Sequence, residues 1–252
     1  MKLAILASLV LSAAAFRAPL SAPLKSSSST KLHAEGGGAL ATKDDLMALA
    51  EKSNPVLKFY DPLGLSSSTI FGESQEATIA WLRHAEIKHG RVAMAAFVGY
   101  IVQANGIHWA VPQNLAGNTA QFDTLSPPEQ WDALPDAAKW QIILVIGFFE
   151  WFSEAAGTHY MRGGRPGEYP NFSDHPELIP HPVPLNLYDP FKIWGKIMND
   201  KRKARGLVSE INNGRLAMIG IFGFLAEQKV DGAVPFLKGL VKHYDGEFMV
   251  PF

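Results

Sequence analysis

The sequence contains no cysteine in its 252 residues. That excludes a disulfide framework and any cysteine-ligated metal. Net charge is nearly absent too: 23 Lys and Arg stand against 24 Asp and Glu, for −1 at pH 7. Nothing in that balance argues for a nucleic-acid partner. Lys and Arg are missing from the whole stretch 103–136, which carries Asp123, Glu129, Asp132 and Asp136. Acidic residues are missing from 16–34, which carries Arg17, Lys25, Lys31 and the tract Ser26–Ser29. What is present is apolar. Hydrophobic residues make up 47% of the chain and gather into a few runs, as in a membrane protein with polar loops.

The N-terminus reads as a targeting segment. Met1–Ala15 places Lys2 before an apolar run that ends in small residues, the pattern of a signal peptide. The run is short for a stable span. The acid-free, serine-rich 16–34 has transit-peptide composition. Together they resemble the bipartite presequence of plastids bounded by extra membranes. The expectation is a presequence over 1–34 (signal about 1–15, transit about 16–34) and one functional domain over 35–252.

The organising feature is an internal repeat. Glu86–Met94 reads Glu-Ile-Lys-His-Gly-Arg-Val-Ala-Met and Glu210–Met218 reads Glu-Ile-Asn-Asn-Gly-Arg-Leu-Ala-Met, identical at six of nine positions. Tyr-Asp-Pro also occurs twice, at 60–62 and 188–190, upstream of each copy. A repeat of this kind implies equivalent units, here two equivalent helices. On a helix Glu86 and His89 share a face, as do Glu210 and Asn213. Glu86 and Arg91 lie about 140° apart around the axis and are badly placed to pair. Two crossed copies resolve this reciprocally, Glu86 with Arg215 and Glu210 with Arg91. Unpaired charge at membrane depth is costly. Small residues line both segments (Gly90 and Ala93; Gly214, Ala217 and Gly220) and allow close approach of the backbones.

Three spans are expected, at about 79–102, 138–157 and 208–228. Trp81 and Trp109 flank the first as interfacial aromatics, and His84 is read as interfacial with them. Within the second, Glu150 and Glu154 lie one turn apart on a shared face. Past the third, Val234–Tyr244 is expected to form a short amphipathic helix, with Phe236, Leu237, Leu240, Val241 and Tyr244 on one face. The fold class is therefore an all-α membrane protein with three transmembrane helices, two of them a crossed pseudo-two-fold pair. Lys and Arg cluster before the third span (Lys192, Lys196, Lys201, Arg202, Lys203, Arg205) and are missing from 103–136. The basic side is the untranslocated one.

The paired Glu-x-x-His-Gly-Arg and Glu-x-x-Asn-Gly-Arg-Leu-Ala-Met motifs resemble the first and third membrane helices of chlorophyll-binding light-harvesting antenna proteins. The surrounding sequence is similar to the fucoxanthin chlorophyll a/c branch of algae with red-type plastids, over essentially all of 58–252. The resemblance implies chlorophyll a, chlorophyll c and fucoxanthin or related xanthophylls, with Mg only inside chlorophyll. It implies a plastid thylakoid location, an N-terminus in stroma and a C-terminus in lumen. A photosystem I or II core, other antenna subunits and thylakoid lipids become the expected partners, and catalysis is not expected. Mg accepts oxygen or nitrogen donors. Glu86, His89, Glu210 and Asn213 are the expected axial ligands, with Arg91 and Arg215 each compensating a carboxylate. By family position Glu150 resembles the second-helix ligand and Glu227 a third-helix one, with its neighbour Gln228 the alternative. Gln141, Glu154 and His243 are weaker candidates. Asp61, Pro62, Asp189 and Pro190 match segments that lie against two central carotenoids.

Three other functions compete. Photoprotective quenching within the same family is not separable by sequence. A di-iron carboxylate enzyme would use Glu86-x-x-His89, but the second copy has Asn213 where a histidine is needed. A transporter or assembly subunit would be expected to show a broken helix or a solvated polar stripe, and the chain offers neither.

Overall fold

The computed structural model describes residues 42–107, 124–179, 186–187, 190–191 and 199–248. The presequence expectation, Trp109, Asp123, Lys192, Lys196 and Asp189 lie outside them. Among the described residues all regular structure is helical. Helix α1 is Lys43–Ser53, α2 Gln75–Ala104, α3 Pro127–Asp132, α4 Asp136–Ala155 and α5 Asp200–Lys229.

The helices begin where local chemistry says they should. Thr42 and Asp45 form a reciprocal capping box at α1, the Thr42 hydroxyl accepting from the Asp45 amide and the Asp45 carboxylate from the Thr42 amide. Ser74 caps α2 by accepting from the Ala77 amide at 3.1 Å. Asn199 caps α5 by accepting from the Arg202 amide at 3.0 Å. Ser126 and Glu129 box the start of α3, with proline following the cap.

Helices α2 and α5 pack on each other and carry most of the tertiary structure. They touch where Gly90 meets Gly214. A Cβ added at Gly214 would lie 2.9 Å from the Gly90 Cα, and one added at Gly90 would lie 3.1 Å from the Gly214 Cα. A little further along, a Cβ at Gly220 would strike the ring of Phe97, which stacks on Phe224. Helix α1 lies beside α5 through one side-chain exchange: Asn212 donates to the Ser53 carbonyl at 3.1 Å and accepts from the Ser53 hydroxyl at 2.9 Å.

Helix α4 meets α2 through long side chains. Its inner aromatic face, Phe149 and Phe152, packs on Tyr169 and Phe172 of the loop that follows, and Phe152 is fully buried. The loop itself is shaped by 3₁₀ turns at Tyr160–Arg162 and Phe172–Asp174. Elsewhere the long helices turn apolar residues outward. Val92, Val98, Leu144, Ile146, Leu216, Ile219 and Phe222 are all exposed, a surface far too apolar for water alone.

No described helix is long and apolar enough to cross a membrane. The reason lies in where the charges fall. Arg83, Glu86, Lys88 and Arg91 interrupt α2, and Glu210 and Arg215 interrupt α5, whose first turns also hold Lys201, Arg202, Lys203 and Arg205.

Two expectations need correction. Val234–Tyr244 is a run of turns and not a helix. Gly239 sits at φ 76°, left-handed, which interrupts a helix there, and single bonds such as Leu237 N to Val234 O replace a helical ladder. Phe236 and Leu240 are left exposed. His84 is not interfacial but buried: it is stacked on Tyr160 at 3.9 Å and accepts from the Gly167 amide at 3.1 Å. The C-terminal segment is instead pinned by Tyr244, whose hydroxyl donates to Asp132 at 2.7 Å. Burial, then the neighbouring Asp132, raises the Tyr244 phenol above its usual range.

Candidate functional site

Arginine follows glutamate five positions on within each repeat, and the crossed geometry turns that spacing into two bridges. Arg91 Nε donates to Glu210 Oε1 at 2.5 Å, and Arg215 Nε donates to Glu86 Oε1 at 2.7 Å. The bridges are alike in exposure, 44% and 30% for the Arg91–Glu210 side chains and 45% and 30% for Arg215–Glu86. The pair is thus pseudo-symmetric about the Gly90–Gly214 contact. Each arginine takes one carboxylate oxygen. The second oxygen of each glutamate receives no hydrogen bond among the described residues.

One turn along each helix sits an uncharged donor. His89 is exposed, and its Nδ1 lies 2.7 Å from the Ala85 carbonyl. That contact places the ring proton on Nδ1 and leaves the Nε2 lone pair directed outward. Asn213 is exposed as well, while its neighbour Asn212 is spent on Ser53. The two adjacent asparagines are therefore divided between holding α1 and facing outward.

A second charged group links α2 to α4. Lys88 Nζ donates to Glu150 Oε2 at 2.7 Å, to the Ser153 hydroxyl at 3.1 Å and to Glu154 Oε1 at 3.3 Å. Glu154 uses its other oxygen on His159 Nε2 at 2.8 Å, and His84 Nε2 stands 3.6 Å from Oε1. Glu154 is thereby committed on both oxygens, whereas Glu150 retains one. The following loop closes the group. Arg91 Nη1 donates to the Gly167 carbonyl at 2.5 Å, so Gly167 joins His84 to the Arg91–Glu210 bridge. Only glycine fits there: φ is 79°, and a Cβ would stand 2.7 Å from Ile87. Tyr169, on this loop, has its phenol pushed up to about 12 by burial and by the charge of Glu150.

The remaining candidates are placed differently. Both Glu227 oxygens accept backbone amides, from Gly232 at 2.9 Å and Val234 at 2.7 Å, so this buried side chain holds the turn after α5. Gln228 is wholly buried, with Oε1 unpartnered. Gln141 is exposed on α4. His243 Nε2 lies 2.9 Å from Asp245. Asp61 accepts from the Leu65 and Ser66 amides at 3.0 and 2.9 Å, which folds the turn that carries exposed Pro62. Lys88, Gly167 and His84 were not singled out as site residues from sequence, because their partners lie on other elements. Among the described residues no group of three His, Asp or Glu side chains could hold a metal ion.

The crossed helices set two arginine-bridged carboxylates beside an exposed histidine and an exposed asparagine on a helical scaffold with apolar residues at its surface. The comparisons with known proteins supply the family. Residues 47–229 match the model of the chlorophyll A-B binding protein family. The chain is 33% identical to a chloroplastic fucoxanthin-chlorophyll a-c binding protein of Trieres chinensis, across 93% of this chain and 98% of that one. It is 28% identical to fucoxanthin-chlorophyll a-c binding protein F of Phaeodactylum tricornutum, across 91% and 96%. It is also 28% identical to the protein F of Macrocystis pyrifera, across 84% and 83%. The chain belongs to the chlorophyll a-b binding family of light-harvesting proteins, which bind pigment and are not enzymes.

Proposed function

We propose that this protein is an antenna of the plastid thylakoid, holding chlorophyll a, chlorophyll c and a fucoxanthin-type carotenoid and passing excitation to a photosystem core and neighbouring antennae. The observation that carries this reading is the paired half-used carboxylate. Glu86 and Glu210 each give one oxygen to an arginine and keep one for Mg, so the bound pigment meets a near-neutral ligand. His89 Nε2 and Asn213 Oδ1 are the two uncharged axial donors. Glu150, neutralised by Lys88, is the fifth. Asp61 with Pro62, and Asp189 with Pro190, face the carotenoids.

Absorption and energy transfer are the pigments' chemistry; the side chains position and desolvate. A partly exposed ion pair adds little net stability, so a positioning role accounts for keeping two of them. In this reading α2, α4 and α5 cross the membrane. Apart from Arg83, the charges at the α2–α5 crossing are paired, and pigment and lipid cover the exposed apolar faces. At about 1.5 Å per residue the 30 residues of α2 reach roughly 45 Å, enough to cross with tilt. The Lys201–Arg205 end of α5 then faces stroma, with the N-terminus stromal and the C-terminus lumenal.

The test is the fluorescence excitation spectrum of the purified holoprotein. Carotenoid absorption should drive chlorophyll a emission. A holoprotein whose chlorophyll excitation spectrum lacks a carotenoid band is not a harvesting antenna, and quenching takes its place.

A further inference from the structure

Arg83 is the anomaly of the fold. It lies on α2 one turn before Glu86 and is only 4% exposed. Its Nε and Nη1 are both buried without a hydrogen-bond partner. The charged groups that act on it are Glu86, Arg215 and Asp45, and neither carboxylate accepts a hydrogen bond from its Nε or Nη1. Glu86 is bonded to Arg215, and Asp45 closes the capping box with Thr42. A guanidinium cannot shed its charge, and a buried cation without a counter-ion is among the most costly arrangements a fold can hold. Every other charged side chain at this crossing, Glu86, Arg91, Glu210 and Arg215, has a partner. Among the described residues the buried donors of Arg83 are thus left unmatched.

We propose that Arg83 is a binding site for an oxyanion carried by a membrane-soluble ligand. This rests on the antenna reading, which places Arg83 inside the first span, where a free aqueous ion would first have to be stripped of water. Two molecules bring the required chemistry. Chlorophylls of the c type carry a free carboxylic acid where chlorophyll a carries a long-chain ester. An anionic thylakoid lipid such as phosphatidylglycerol carries a phosphate. Arginine suits both, since its planar donor fork matches carboxylate and phosphate oxygens. The site thereby makes Arg83 a selector among ligands: it favours the pigment or lipid that bears a charge and gives the esterified or neutral one nothing.

The test compares wild-type holoprotein with Arg83→Gln and Arg83→Lys, counting chlorophyll a, chlorophyll c, carotenoid and phosphatidylglycerol per polypeptide. Arg83→Gln should lose about one chlorophyll c or one phosphatidylglycerol while keeping chlorophyll a, and Arg83→Lys should retain most of it. Unchanged counts of both in Arg83→Gln overturn the proposal. Should Arg83→Gln fail to assemble, wild-type reconstitution decides. One arm replaces chlorophyll c by its methyl ester, and the other replaces phosphatidylglycerol by neutral galactolipid. Reduced uptake or yield in the first arm assigns the pigment, and in the second the lipid. No effect in either overturns the proposal. A wild type that binds chlorophyll a and carotenoid yet shows no effect defeats this inference alone, whereas one that binds no chlorophyll defeats the antenna reading beneath it.

Discussion

Arg91 bonds Glu210 on the opposite helix at 2.5 Å and not Glu86 on its own. Arg215 returns the arrangement to Glu86 at 2.7 Å. Removing either arginine leaves a carboxylate uncompensated beneath pigment and lipid. Arg91→Leu or Arg215→Leu should lower the yield of pigment-loaded protein more than His89→Leu, costing about 1 kcal/mol, the upper range for a partly exposed pair. The double exchange Arg91→Glu with Glu210→Arg should recover part of the loss. Reconstitution yield measures all four; equal yields for Arg91→Leu and His89→Leu would remove the compensating role.

Gly214 and Gly90 are the contact about which both bridges are arranged. Gly214→Ala places a methyl group 2.9 Å from the Gly90 Cα, so the helices must separate. The expected cost is about 1–3 kcal/mol, seen as a lower Tm of the holoprotein. Both bridges should weaken together, because one contact sets both distances. A Tm unchanged from wild type would show that the close approach does not hold the crossing.

Tyr244 gives the C-terminal segment an alkaline limit. Its phenol is raised in the folded chain by burial and by Asp132. The group therefore contributes stability in full below the unfolded tyrosine pKa of about 10, and that contribution falls as pH rises from there toward the folded value. Limited proteolysis of the C-terminal segment should accelerate above about pH 10 in the wild type. Tyr244→Phe should be cut faster at neutral pH, with a flatter alkaline rise. Identical pH profiles would mean that this hydroxyl does not anchor the segment.

Orientation can be read with protease on intact thylakoids. Lys201, Arg202, Lys203 and Arg205 are exposed at the start of α5 and should be cut from the stromal side. Cleavage confined to 103–136 would invert the topology.

The parts of this molecule legible in sequence are those written twice. Glutamate and arginine five residues apart cannot pair within one helix, so the repeat itself demanded the crossed bridges, and Gly90 and Gly214 marked where they meet. Partners drawn from distant elements left no comparable trace. Gly167 bonds both His84 and Arg91 from a proline-rich loop 76 residues beyond Arg91, and no periodicity announces that. Lys88 finds its partners only because α4 brings Glu150, Ser153 and Glu154 to it. The C-terminal stretch failed for the opposite reason: its apolar spacing suggested a helix, but the left-handed Gly239 interrupts the pattern. Glu227 takes the Gly232 and Val234 amides on its two oxygens, a use of the side chain that no spacing in the sequence announced.

The most direct test of the central claim is a density map of the purified holoprotein at a resolution that shows macrocycles. The account predicts a chlorophyll ring with its Mg facing His89 Nε2 and another facing Asn213 Oδ1. It also predicts one at the free oxygen of Glu86 and one at that of Glu210, with Arg215 and Arg91 still on the other oxygens. Macrocycles held only at other side chains, with these four donors against lipid or protein, would contradict it.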